Sequence, residues 1–193
     1  MPRLPYVDRT DLSKTDRPLI DSTSPPEAMH PDLQHLMAGR ERNSYRMIAH
    51  HPAVLRHYRE LVDQIKADSG LTELEQEIVV LGCAREIPSR YEWHNHARIA
   101  LNFGIDPEQI RAISRKDFDA FSDAHATLLR YVIRFVHGTI DDSIHAELTA
   151  YYSADQIVAI ALFAGYWLAN ARIVDALGVE IEEPFIGWEL ENS

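Results

Sequence analysis

A single cysteine, Cys83, stands in a chain of 193 residues. That excludes an internal disulfide and any Cys-x-x-Cys redox pair, and it suits a reducing compartment. Positive charge is scarce too: 19 Lys and Arg face 30 Asp and Glu, for a net charge of −11. Without a basic run the chain is a poor match for a phosphate backbone, and its charge disfavours anionic lipid. Neither nucleic acid nor a membrane is therefore expected as a partner. The longest apolar run, Ile157 to Leu168, falls short of the roughly 20 residues that span a bilayer and gives way to Asn170, Arg172 and Asp175. The first residues, Met1-Pro2-Arg3-Leu4-Pro5, lack the apolar segment of a signal peptide, so a cytoplasmic location is expected. No stretch shows sustained apolar/polar alternation, so strands are not needed and the expected fold is all-α.

What is present is ordinary globular material: 46% hydrophobic and 25% charged residues, enough for one domain with a real core. Residues 1–26 are rich in Pro, Asp, Ser and Thr and read as an extended arm that wraps the domain or a neighbouring subunit or stays loose. Residues 27–180 read as one helical domain and 181–193 as a C-terminal tail. A short helix is expected from Glu27 to Met37, and a longer one from Pro52 to Ala67. Thr72-x-x-Glu75 is a capping box opening a third, which Pro88 interrupts. A fourth restarts at Ser89 and stops at Gly104. Asp106-Pro107 opens a short fifth to Ile113, residues 114–120 form a polar loop, and further helices cover Asp123 to Val136 and Asp142 to Tyr152. Ser153-x-x-Gln156 is a second capping box, opening the longest helix, to Leu177 before Gly178. The two capped helices echo one another weakly, as an old duplication would.

Chemistry-bearing residues concentrate in Ser89-Arg90-Tyr91-Glu92-Trp93-His94-Asn95-His96. Glu92 and His96 are four apart, so on a helix they share a face. Glu77 lies on the preceding helix beside Ile78, Val79 and Val80 and is expected to be at least partly buried. With His96 reached from an antiparallel neighbour and Glu92 orienting it, these three residues have the makings of a general acid/base site. The alternative is a solvated Glu92–His96 pair with Glu77 held by Arg98 or Arg85. A metal site is a further alternative. His94 and His96 with Glu92 invite it, but positions i and i+2 point about 200° apart on a helix, which argues against that pair, whereas Glu77, Glu92 and His96 could assemble a site. Cys83, beside Gly82 and Ala84, reads as a buried inert thiol. His50 and His51 read as local packing and capping at a helix start, and His57, His125, His137 and His145 as isolated histidines. Tyr91, Trp93, Tyr166 and Trp167 read first as core, with Tyr91 and Trp93 able to serve a substrate as well.

At these residues the chain resembles the carboxymuconolactone decarboxylase-like and alkylhydroperoxidase-D-like superfamily. The resemblance rests on Glu77-Ile78-Val79-Val80-Leu81, on Tyr91-Glu92-Trp93-x-x-His96-x-x-x-Ala100 with Gly104, and on Tyr152-Ser153-x-x-Gln156-Ile157-Val158 through Gly165-Tyr166. It implies a multi-helix bundle whose subunits associate as a homo-oligomer. Redox members of that superfamily use Glu, then Cys-x-x-Cys-x-x-x-His. Carried onto this chain, the glutamate is Glu77 and the histidine His96, while the two cysteine positions hold Ser89 and Glu92. A dithiol peroxidase needs both thiols, so that activity is not expected. The decarboxylase branch works without redox cysteines, but its own pattern is not clearly reproduced. The expectation is a cofactor-free acid/base enzyme (lyase, isomerase or hydrolase) on a small organic compound. His96, Glu77 and Glu92 are its catalytic candidates, and Ser89, Tyr91 and Trp93 its substrate-binding ones. A non-catalytic binding or assembly protein of the same fold and a metal enzyme using Glu77, Glu92 and His96 are the alternatives.

Overall fold

The computed structural model describes residues 1–36 and 39–193. Its elements are α-helices and short 3-10 turns: α1 (Asn43–Ile48), α2 (Pro52–Asp68), α3 (Glu73–Glu86), α4 (Arg90–Asn102), α5 (Pro107–Arg115), α6 (Asp123–His137), α7 (Asp142–Thr149) and α8 (Ala154–Leu177). Among the described residues extended pairing is confined to one isolated bridge, Asp21 with Glu41. The fold is thus all-α, as the missing alternation implies.

Local chemistry sets most boundaries. At α3 the Thr72 hydroxyl accepts from the Glu75 amide while the Glu75 carboxylate accepts from the Thr72 amide, and Ser153 and Gln156 repeat the device at α8. Gly138 and Gly178 end α6 and α8 in the left-handed conformation that glycine adopts without strain. Elsewhere the structure departs from expectation. The stretch from Glu27 is not a helix but two 3-10 turns, Pro26–Ala28 and Pro31–Leu36, and its expected end at Met37 lies outside the described residues. The α1 helix was not anticipated, because its six residues carry no side-chain cap and too few turns for a periodic face.

Helix α3 is the hub. Ile78, Val79, Val80 and Leu81 are consecutive and have no exposure, which requires neighbours on every side; α4, α5, α6 and α8 supply them. Helix α8 has 24 residues and a composition that would also suit a bilayer, yet Ile157, Ile160, Phe163, Ala164 and Val174 are core residues. The terminal segments are built in. Leu12 and Ile20 of the N-terminal arm join Ala49 and Leu55 in a second small core. The tail beyond 180 does not hang free: Ile186 and Leu190 are buried in the main core, and Trp188 packs against it.

Candidate functional site

The α3–α4 contact brings Glu77 and His96 together. The two side chains are almost fully enclosed, and the His96 Nδ1 lies 3.0 Å from the Glu77 carboxylate. A carboxylate acceptor on Nδ1 fixes the imidazole with its proton on that nitrogen and leaves Nε2 as the basic atom. Nε2 has no partner among the described residues. The Trp167 ring of α8 meets the imidazole edge to face, centroids 4.2 Å apart, and its buried indole N–H has no acceptor among the described residues. Arg98 and Arg85, the other partners considered for Glu77, are engaged elsewhere: Arg98 with Glu183 at 3.2 Å, Arg85 with the Ser114 carbonyl at 3.0 Å.

Glu92 does not orient His96. It faces α8 instead, where its carboxylate accepts from the Asn170 amide at 2.8 Å, and the Asn170 oxygen accepts from the Tyr58 hydroxyl of α2 at 3.2 Å. Burial pushes the Glu92 carboxyl up to about 8, with a further push from the charge of Glu182 and only partial relief from Asn170. At neutral pH it is therefore mostly a neutral acid. Tyr166 stacks on Tyr58 at 4.5 Å, and burial raises both phenols. Asn170 and Tyr58 were not picked out from sequence; the one available signal was a lone asparagine following an apolar helical run.

The three expected substrate-binding residues all make contacts within the fold. Ser89 caps α4, its hydroxyl accepting the Glu92 amide, and borders a cleft of about 590 Å³ also lined by Arg90, Tyr91, Asp175, Glu180 and Phe185. Tyr91 spends its hydroxyl on Ser44 and Glu182. Trp93 has no exposure, and its indole N–H donates to the Gly187 carbonyl at 2.8 Å. His94 is tied to the tail as well: its Nδ1 accepts from the Ile186 amide, and Nε2 faces Glu183 at 3.3 Å. Arg42 and Arg98 complete this anchor, both on Glu183. Sequence reading missed the whole cluster.

Among the described residues no three His, Cys, Asp or Glu side chains are placed to hold one metal ion, so Glu77, Glu92 and His96 do not assemble as a ligand set. Cys83 is buried, its Sγ near the Ala164 carbonyl at 3.8 Å, and burial pushes its thiol up to about 12. It is not a nucleophile at neutral pH.

Comparison with known proteins agrees with this architecture. Residues 52–133 match the model of the carboxymuconolactone decarboxylase family. A solved structure of an uncharacterized peroxidase-related protein with an alkylhydroperoxidase AhpD core, from Ralstonia eutropha JMP134, superposes with TM-score 0.77 at 17% identity, covering 97% of this chain and 96% of that one. The apo debrominase Bmp8 gives TM-score 0.74 at 17% identity, covering 96% of each chain. A cysteine-to-alanine variant of Bmp8 in complex with 2,3,4-tribromopyrrole gives 0.71 at 16% identity, covering 92% of this chain and 90% of that one. No curated protein matches the sequence. Residues 52–133 are thus similar to the carboxymuconolactone decarboxylase family, and the chain as a whole has the AhpD-like helical fold.

Proposed function

We propose that this protein is an enzyme that transfers protons on a small organic compound, as a lyase, isomerase or hydrolase, and not a dithiol peroxidase. One observation carries the reading: the buried Glu77–His96 hydrogen bond of 3.0 Å, which leaves Nε2 of His96 as the acting nitrogen. In this scheme Nε2 takes a proton from the substrate, and Glu77 holds the ring and stabilises the imidazolium that results. Glu92, one helical turn from His96 along α4, neutral and held by Asn170, is the complementary proton donor.

Two facts support a small organic substrate and oppose thiol chemistry. A debrominase variant of the same fold binds a halogenated pyrrole. The chain's lone thiol is buried and held protonated. A homo-oligomer completes the proposal, with Leu61, Val158 and Leu162 exposed for contact between copies. The competing reading is a binding protein that has lost catalysis, which gains support because neither large cleft is lined by Glu77, Glu92 or His96.

The test is a panel of lactones, oxo acids and halogenated phenols, assayed with the wild type and with Glu77→Gln and His96→Gln. Loss of a general base is expected to lower kcat by about 10²- to 10⁴-fold with the helical circular dichroism unchanged. Full turnover in folded variants overturns the assignment, as does peroxide consumption driven by a thiol system. A retained ligand with no turnover across the panel favours the binding protein.

A further inference from the structure

A second cleft, of about 350 Å³, opens where α1 and the start of α2 meet the end of α8. Its walls are Met47, Ile48, Val54, Ile173 and Leu177, and Leu4 of the N-terminal arm closes one side. Among the described residues no Lys, Arg, Asp or Glu lines it, in a chain whose net charge is −11. The polar residues at its edge are His50, His51 and Tyr58. His50 is occupied, with Nε2 on the Pro5 carbonyl at 2.9 Å, and His51 precedes Pro52 at the start of α2. Tyr58 differs from both. Its hydroxyl donates to Asn170, and Asn170 donates to Glu92. This is therefore a cleft with a continuous hydrogen-bonded path to a residue of the proposed chemistry. The larger cleft at Ser89 is instead walled partly by Asp175, Glu180 and Glu183.

We infer that the α1–α2–α8 cleft is the binding site for the organic part of the substrate, an uncharged ring compound with one O–H or N–H donor, and that Tyr58 is the residue that receives that donor. The inference rests on the proposed acid/base function for its link to Glu92, and on the cleft alone for the ligand class. Three features select that class. The volume lies at the small end of ligand pockets, which run from about 300 to 1,000 Å³, so it suits a single ring or a fused pair. The absence of a charged wall residue leaves a carboxylate or ammonium ligand desolvated without compensation, which disfavours it strongly. The Tyr58 proton is committed to Asn170 and one lone pair of its oxygen faces the Tyr166 hydroxyl, so toward a ligand the oxygen can only accept, through the pair that remains.

The experiment measures binding of 4-fluorophenol, and of 4-fluorobenzoate as the charged counterpart, to the full-length protein by fluorine NMR titration. Val54 is 59% exposed, so Val54→Glu places a charge in the cleft without disturbing the core. 4-Fluorophenol is expected to bind the wild type. Its affinity should fall more than about tenfold in Val54→Glu and about three- to tenfold in Tyr58→Phe, which deletes one hydrogen bond. It should be unchanged in Asp155→Asn, on α8 outside the cleft, and the benzoate should bind at least about tenfold more weakly than the phenol. Equal binding of phenol and benzoate, no loss in Val54→Glu, or no phenol binding at millimolar concentration overturns the inference. So does a Val54→Glu protein that sediments as a smaller assembly, which would make this face a contact between copies of the chain. Turnover that needs His96 but survives Val54→Glu removes the cleft and leaves the proposed chemistry standing. Cleft binding with undiminished turnover in His96→Gln does the reverse.

Discussion

Replacing Glu92 with glutamine should make the protein more stable at neutral pH, and the gain should grow as pH rises. Glu92 is 3% exposed, and its carboxyl is raised from 4.5 to about 8 in the folded chain. Below pH 4.5 the group is neutral both folded and unfolded, and it contributes no pH dependence. Above that the unfolded chain releases the proton while the folded chain keeps it, so stability is lost at about 1.4 kcal/mol per pH unit until pH reaches about 8. At pH 7 the wild type is destabilised by about 3 kcal/mol relative to a neutral side chain of the same shape. Glutamine is that side chain, and its carbonyl can still accept from the Asn170 amide. Urea unfolding of both proteins at pH 5, 6, 7 and 8 isolates the effect, because every other titrating group is common to the pair. The free-energy difference should be small at pH 5 and reach about 3 kcal/mol in favour of Glu92→Gln by pH 7. A difference that stays flat from pH 5 to 8, or a variant less stable than the wild type at pH 8, refutes a buried neutral Glu92.

Other outcomes follow from neighbouring parts of the molecule. The Cys83 thiol, buried and held up to about 12, should resist an aromatic disulfide reagent in the native protein and react at once in denaturant; rapid labelling of the folded chain contradicts this. Glu183→Ala removes a carboxylate shared by the buried Arg42 and Arg98, and should cost about 3 kcal/mol in unfolding free energy, against less than 1 for Glu189→Ala on the exposed face of the same segment. Equal costs for the two would mean that the tail anchor contributes nothing. Gly82→Ala places a methyl 3.1 Å from both Leu129 and Val132, and should lower the thermal midpoint through a cost of about 1–3 kcal/mol; an unchanged midpoint shows that the α3–α6 contact is looser than described.

The parts of this fold that could be read in advance are those whose causes are local. Thr72 and Ser153 announce their helices because a cap and its partner lie three residues apart, and Gly178 ends α8 because the left-handed turn favours glycine. Glu77 and His96 could be paired because a capped helix, a proline break and a restart imply an antiparallel hairpin, and the family resemblance then selected these two among many Glu and His residues. The misreadings share one cause, dependence on distant chain. Glu92 could as well have turned to His96, one helical turn away; its actual partner, Asn170, is 78 residues distant. Tyr58 reaches that same asparagine across 112 residues. The docking of the tail was not legible because Ile186 and Leu190 show no period, and the arginines that anchor it are 85 and 141 residues away from Glu183.

The most direct test of proton transfer at His96 is turnover in deuterium oxide, with mass spectrometry of the product and of recovered substrate from whichever compound in the panel reacts by proton transfer at carbon, since hydrolysis leaves deuterium only on exchangeable oxygen. The wild type should introduce solvent deuterium at the reacting atom, and His96→Gln should reduce that incorporation by about 10²-fold or more. Product formed without solvent deuterium, or incorporation that persists undiminished in His96→Gln, would contradict a Glu77–His96 proton relay.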